Sequence, residues 1–216
     1  MITSWLTFHE VADQTSPGND PAMTVTPDLF AAVLDRVRGR PDVRITFDDG
    51  NRSAVDTALP LLEERGMRAT FFVLADRIDQ PDQLSTADLQ RLVDAGMTVG
   101  SHGRAHVPWT ECDATQLGAE IGESARDLSA AIGRPVDRYA CPFGAYDRRV
   151  LAALRRHEAA QVFTSDRGAT PSRWLTARTS LRAEHRLEDL EGLLAHGRSR
   201  PSRWARDLNS LRKRLR

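Results

Sequence analysis

Seven short apolar runs set what this chain can fold into. They cover residues 5–9, 43–47, 69–74, 97–101, 136–141, 161–165 and, less regularly, 174–178. Each has strand length, and stripes of apolar residues at helical spacing separate most of them. Leu117, Ile121, Ala125, Leu128 and Ile132 share one helix face, with Asp113 as N-cap and Gln116 three residues on. Leu89, Leu92 and Val93 form a second face, capped by Ser85 with Asp88 in the first turn. Phe30, Val33, Leu34 and Val37 make a third, and Leu59, Leu61, Leu62 and Met67 a fourth that Pro60 starts or kinks. Strands that alternate with helices specify an α/β fold with a parallel sheet, since parallel neighbours need a crossover.

The candidate chemical groups all stand just after these runs. Asp48 and Asp49 follow the second, His102 the fourth, Pro142 the fifth, Asp166 the sixth and Arg178 closes the seventh. In a β/α barrel those strand ends meet on one face, where active sites are built. The expected architecture is therefore a barrel of seven strands, smaller than the usual eight. Thr46-Phe47-Asp48-Asp49-Gly50 carries the sharpest signal. Adjacent residues at a strand end diverge, so one carboxylate can ligate a metal while its neighbour faces the attacking water. His102-Gly103-Arg104-Ala105-His106 supplies two histidines. One carboxylate and two imidazoles are a ligand set with open positions, which hydrolysis requires. Alone, Asp-Asp-Gly is more often a turn, and a histidine pair four apart can be a solvated helix face. Gly100 and Gly103 favour a loop instead.

In this order and spacing the motifs resemble those of the polysaccharide deacetylases with a NodB-type domain, similar to carbohydrate esterase family 4. The resemblance runs from about residue 5 to 194. It implies a distorted seven-stranded β/α barrel and a metal-dependent enzyme that removes N-acetyl groups from sugars. It also implies Asp48 as general base and Asp49, His102 and His106 as metal ligands. Ala69-Thr70-Phe71-Phe72-Val73 matches the strand that follows the first motif and its helix. Cys141-Pro142-Phe143-Gly144 matches the third motif, one wall of the substrate groove, whose Phe143 N–H would meet the oxyanion. Phe163-Thr164-Ser165-Asp166 stands where the opposite wall is built, so Pro142, Phe143, Gly144 and Asp166 are the expected substrate-binding residues.

The chain departs from the family pattern in three places. Gly103 replaces the Ser or Thr that steadies the histidine loop, leaving that brace absent or supplied by Ser101. Ala140 stands where an Arg usually pairs with the catalytic Asp, and Arg178 is expected to take over that pairing with Asp48. A surface ion pair is the plainer reading of Arg178. The usual late histidine, the general acid, has no clear counterpart, with His185 and His196 the only late candidates. His9 ends the first run and is expected to be structural or to point into the barrel mouth. Phe143, Tyr146, Trp109 and Trp174 are each either sugar-stacking or core. Zinc suits the ligand set best, and cobalt, nickel or iron are compatible with it.

Composition narrows the partners. Thirty basic residues balance thirty acidic ones, which gives no bulk electrostatic case for nucleic acid. Residues 198–216 hold eight basic side chains against one acid, and Trp204, Leu208, Leu211 and Leu215 recur there at helical spacing. The expected division is a catalytic domain over 1–197 and a basic amphipathic C-terminal helix over 198–216. That helix either packs on the domain or makes a peripheral membrane or protein contact. Cys112 and Cys141 form no disulfide framework, Cys112 reading as a helix-start packing residue and Cys141 as a small buried one. No basic leader or long apolar stretch opens the chain, so the expected location is cytoplasmic, at most peripheral at the inner membrane face. The expected substrate is an N-acetylated sugar of a glycan or glycan precursor. The alternatives are a carbohydrate-binding protein of the same fold with little or no turnover, and a hydrolase of another small amide.

Overall fold

The structure, a computed structural model, describes residues 3–167 and 174–195. Its strands are β1 (Ser4–Phe8), β2 (Glu10–Val11), β3 (Thr24–Val25), β4 (Val43–Phe47), β5 (Ala69–Val73), β6 (Thr98–Ser101), β7 (Arg138–Ala140), β8 (Gln161–Thr164), β9 (Leu175–Ala177) and β10 (Thr179–Ser180). Its helices are α1 (Pro27–Val37), α2 (Leu59–Glu64), α3 (Thr86–Asp94), α4 (Ala114–Gly118), α5 (Ser124–Ile132), α6 (Arg148–Arg156) and α7 (Leu190–Ala195). Eight strands form one parallel sheet in the order β10-β1-β4-β5-β6-β7-β8-β9. The two edges are consecutive in the chain. The last run pairs with β8 as far as Ala177, opposite Thr164, and takes up β1 at Thr179, opposite Leu6. Only Arg178 lies between, so the seventh strand of the sequence reading is present but broken at this residue. Through it the sheet forms a nearly closed α/β barrel.

The register sorts side chains into an inside and an outside. Thr7, Thr46 and Thr70 align across β1, β4 and β5 and share the inner face. Phe72, Gly100, Ala140 and Phe163 continue that face around the ring. The barrel is filled by threonines and a few aromatic rings. A Cβ at Gly100 would lie 2.6 Å from the Phe72 ring, so the glycine makes room for that phenyl. The outward residues build the main core against the helices. Phe8, Phe30, Phe47 and Phe71 form a continuous aromatic stack, with Phe47 and Phe71 centroids 4.7 Å apart.

The helices form where their stripes predict. Ser85 with Asp88, and Asp113 with Gln116, make reciprocal capping boxes at the starts of α3 and α4. The stripe from Leu117 to Ile132 is buried throughout, but it is not a single regular helix. Residues 119–123 form a π-turn between α4 and α5, and Ser124 Oγ donates back to the Glu120 carbonyl at 2.6 Å. A second π-turn, residues 54–58, precedes α2, so Pro60 falls in the first turn of the regular part. The segment between Val11 and Thr24 had no sequence signature. It is fastened by the β2–β3 pair and by Glu10, whose buried carboxylate accepts from Ser16 N–H and the Thr24 hydroxyl. His196 and the basic stretch 198–216 lie outside the described residues. Among the described residues no helix is long and apolar enough to cross a membrane.

Candidate active site

The strand ends converge as a barrel requires. Asp49, His102 and His106 each present one ligand atom, and these atoms lie within 4.8 Å of one another. His102 Nε2 and His106 Nε2 stand 3.5 and 3.4 Å from Asp49 Oδ1. That oxygen is buried and has no hydrogen-bond partner. His102 Nδ1 lies 2.8 Å from the Ala140 carbonyl, which can only accept, so Nδ1 carries the proton and Nε2 offers a lone pair. Burial holds the His106 imidazole down to about 4, with His102 adding to the effect and Asp49 opposing it. His106 is therefore neutral near pH 7. An orphaned carboxylate oxygen and two imidazole nitrogens aimed at one point fit a divalent cation.

The backbone that aims them is strained. Asp49 and His106 hold φ angles of 73° and 58°, and Phe143 across the cavity holds 57°. Each such non-glycine residue costs about 1 kcal/mol, and strain of this kind concentrates at functional sites. The histidine loop is braced from two sides. Ser101 Oγ accepts from Gly103 N–H at 3.0 Å and pairs with Ser124 Oγ at 2.7 Å, so Ser101 is the brace that the missing Ser or Thr left open. The second brace is Glu120. Its buried carboxylate accepts from Arg104 N–H at 2.8 Å, Ala105 N–H at 3.2 Å and Trp109 Nε1–H at 3.4 Å. A Cβ at Gly103, where φ is +87°, would run into that carboxylate, which explains why this chain has glycine there.

Asp48 lies beside this set in a different environment. It is 4 % exposed, and Arg178 grips both its oxygens, Nη1 to Oδ1 at 2.6 Å and Nη2 to Oδ2 at 2.7 Å. Burial alone would raise the Asp48 pKa, but the Arg178 charge outweighs it, with His102 and His9 adding, and brings it to about 2. Arg178 is 1 % exposed, which excludes a surface ion pair. Its guanidinium lies over the inward rings of Phe72 and Phe163, at 5.0 and 5.7 Å, and also donates to Thr46 Oγ1 at 3.2 Å. Ala140 contributes a small side chain to the cluster with Phe72 and Phe163, and its carbonyl orients His102.

A cavity of about 400 Å³, of ligand size, opens over both groups. Phe143 stands on its wall, 63 % exposed, with its ring 4.5 Å from that of His106. Trp109 and Tyr146 are core, and Trp174 is tied to the Ala159 carbonyl and covered by Arg155. Pro142 and Gly144 are buried in the turn behind Phe143 and shape it without lining the cavity. The Asp166 carboxylate accepts from the Tyr146 hydroxyl at 2.7 Å and the Thr164 hydroxyl at 3.0 Å, and the lining residue there is Ser165. Cys141 is buried on the cavity wall, and Cys112 is buried beside Pro108. His185 accepts from Arg182 N–H and is not part of the lining. His9 is. Its Nδ1 is buried and unpartnered, while Asn51 Nδ2 donates to its carbonyl at 2.9 Å. The sequence signal for His9 was its place at the end of the first strand, the same position relative to β1 that Asp48 has relative to β4.

Comparison with known proteins agrees with this fold. The chain is 29% identical over 118 residues to the chitooligosaccharide deacetylase of Rhizobium leguminosarum bv. phaseoli, covering 53% of this chain and 50% of that one. It is 25% identical over 148 residues to YxkH of Bacillus subtilis (strain 168), covering 68% and 53%. The chain thus spans about half the length of these curated relatives. The solved structure of BC0361, a polysaccharide deacetylase from Bacillus cereus, superposes with a TM-score of 0.80 at 20% identity, over 89% of this chain and 69% of that one. The Streptococcus pyogenes deacetylase PplD, solved with acetate, gives 0.79 at 19% identity over 90% and 98%. At such identities the structures speak for the shared fold. The sequence profile described as polysaccharide deacetylase matches residues 35–162, from α1 through β8 and across every motif from Asp48 to Phe143, and the chain belongs to the polysaccharide deacetylase family.

Proposed function

We propose that this protein is a metal-dependent hydrolase that removes N-acetyl groups from N-acetylated sugar residues of a glycan or glycan precursor, with 1–197 as its catalytic domain. The observation that carries the proposal is the pairing of two neighbouring carboxylates with opposite fates. Asp48 is locked ionised by Arg178, while Asp49 and two histidines converge on one point. A pure binding protein has no use for the first arrangement. The names of the relatives support a sugar amide as substrate.

Asp49 Oδ1, His102 Nε2 and His106 Nε2 would hold the cation, zinc best among the candidates. When bound, a divalent cation supplies Lewis acidity to the acyl oxygen and acidifies the attacking water. Asp48 takes the proton of that water as its oxygen adds to the acyl carbon. At about 2, Asp48 holds a proton only fleetingly and cannot store it for the leaving amine. Imidazole is the side chain suited to hold a proton near neutrality. His9 lines the same cavity, acts on the charge of Asp48 and has an unpartnered buried Nδ1. In the proposed sequence His9 delivers the proton to the amine nitrogen as the C–N bond breaks, and acetate leaves with the new C–O bond. Phe143 offers its N–H to the developing oxyanion and its exposed ring to the sugar face.

The test joins metal analysis with acetate release from a panel of N-acetylated sugars and non-sugar amides. One metal per chain, lost in His102→Ala, with acetate released from a sugar, is the expected result. Asp48→Asn that keeps its metal and loses turnover separates an enzyme from a binding protein. His9→Gln should lower kcat by about 10²–10⁴-fold and remove one limb of its pH profile, with metal content unchanged. An unaltered pH profile would return His9 to a structural role.

A further inference from the structure

The cavity carries charge that deacetylation of a neutral sugar does not use. Arg77, at the end of a short 3₁₀ turn after β5, and Arg182, just past β10, both line it. Both are half-buried, and neither has an ion-pair partner among the described residues. The acids of the same lining are occupied. Asp48 is held by Arg178, and Asp49 belongs to the cation set. Glu10 accepts from Ser16 N–H and the Thr24 hydroxyl, and Asp20 caps Ala22 N–H at 2.9 Å. Asp76, next to Arg77 in sequence, is taken by Arg104 at 2.7 Å. Arg77 shares the cavity lining with His102 and His106. Arg182 lines the cavity from the segment after β10, where Ala183 N–H donates to the Ala22 carbonyl at 3.0 Å. Two half-buried guanidinium groups facing a ligand-sized space fit an oxyanion, which accepts their planar paired donors better than any hydroxyl does.

We propose that the substrate is an N-acetylated sugar bearing an anionic oxyacid substituent, phosphate or carboxylate, which Arg77 and Arg182 bind beside the reacting acetamide. This rests on the deacetylase reading and narrows it.

The test compares kcat/KM for acetate release from three probes: neutral N,N′-diacetylchitobiose, N-acetylglucosamine 1-phosphate and N-acetylmuramic acid. An anionic probe should exceed the neutral one by about 10-fold or more, and the better of the two names phosphate or carboxylate. Arg77→Gln and Arg182→Gln should pull that ratio towards one, mainly through KM. Arg→Lys should restore part of it, and added salt should erode it in the parent protein. Equal kcat/KM for all three probes overturns the inference and leaves the deacetylase standing. Loss of preference in Arg77→Gln that merely follows loss of metal overturns the part given to Arg77. Where no probe is deacetylated, the deacetylase reading fails, and calorimetry decides the anion site separately. Binding of N-acetylglucosamine 1-phosphate over N-acetylglucosamine, weakened about 10-fold in the arginine variants, supports it, and equal binding overturns it.

Discussion

Asp48 and Asp49 share a peptide bond, yet they belong to two differently built halves of the site. In the Asp48 half the carboxylate is saturated. It accepts from both Nη groups of Arg178, which also donates to the Thr46 hydroxyl and leaves only its buried Nε–H without a partner. The Asp49 half is unfinished, with a buried oxygen that nothing donates to and two imidazoles that add lone pairs. Burial does opposite things in the two. In the first it strengthens a pair that is already complete, and in the second it raises the cost of having no partner. A saturated group keeps its charge whatever enters the cavity. An unfinished one takes its identity from what it captures.

The largest way to break this contrast is Asp49→Ala. Metal should be lost and turnover should fall by about 10³-fold or more, while the apoprotein keeps or gains thermal stability because an orphaned carboxylate has gone. A lowered Tm for the apo variant would show that Asp49 is a structural partner after all. On the saturated side the sign reverses. Arg178→Met leaves Asp48 buried and unpaired and should cost about 3–5 kcal/mol in chemical denaturation. The double variant Asp48→Asn, Arg178→Met should recover most of that, and failure to recover would mean that the guanidinium is needed for packing on Phe72 and Phe163 more than for charge.

Gly103→Ala comes next, at about 2 kcal/mol, because it combines left-handed backbone with intrusion on Glu120. It should weaken metal binding more than it weakens the fold, since the loop it disturbs carries His106. Acid titration should take the halves apart in order. His106 is held at about 4 in the fold and titrates near 6.5 unfolded, so the unfolded chain gains the proton first. That stability is present above about 6.5 and is lost as pH falls from there to about 4. Asp48 is held at about 2 against about 3.9 unfolded, so its contribution is present above about 4 and lost as pH falls through about 2. Two separate acid phases in apoprotein unfolding are expected. The first should move to lower pH with saturating zinc, and a single phase would merge the halves. Ser101→Ala should be the smallest effect, about 1 kcal/mol, with a modest rise in metal dissociation.

Much of this was legible in the sequence where a signal is local. The strand runs, the capping boxes at Ser85 and Asp113 and the Asp-Asp-Gly turn are written in consecutive residues, and the structure has all of them. The expectation that Arg178 reaches Asp48 held because a buried acid whose usual cation is absent must find another. What stayed hidden depends on contacts across the ring. Glu120 reads as one more polar helix residue, and only the π-turn around it brings its carboxylate under the histidine loop. Ala140 marks a missing cation in the sequence, and only the fold shows that its carbonyl faces His102 Nδ1. The loop from Val11 to Thr24 had no periodicity to mark it. Asp166 carries the charge expected of a binding wall, yet Tyr146 and Thr164 hold its carboxylate in place.

The break at Arg178 has a mechanical meaning. The last run lets go of one neighbour at Ala177 and grasps the other at Thr179, so a single residue buckles the hoop of the barrel. The buckle is the same residue whose side chain grips Asp48. Anything that tugs at the Asp48 carboxylate therefore pulls on the clasp of the whole ring, and anything that tightens the clasp sets the carboxylate. The proposed base and the closure of the ring share one fastening, and wear at either would show first as loosening of the other.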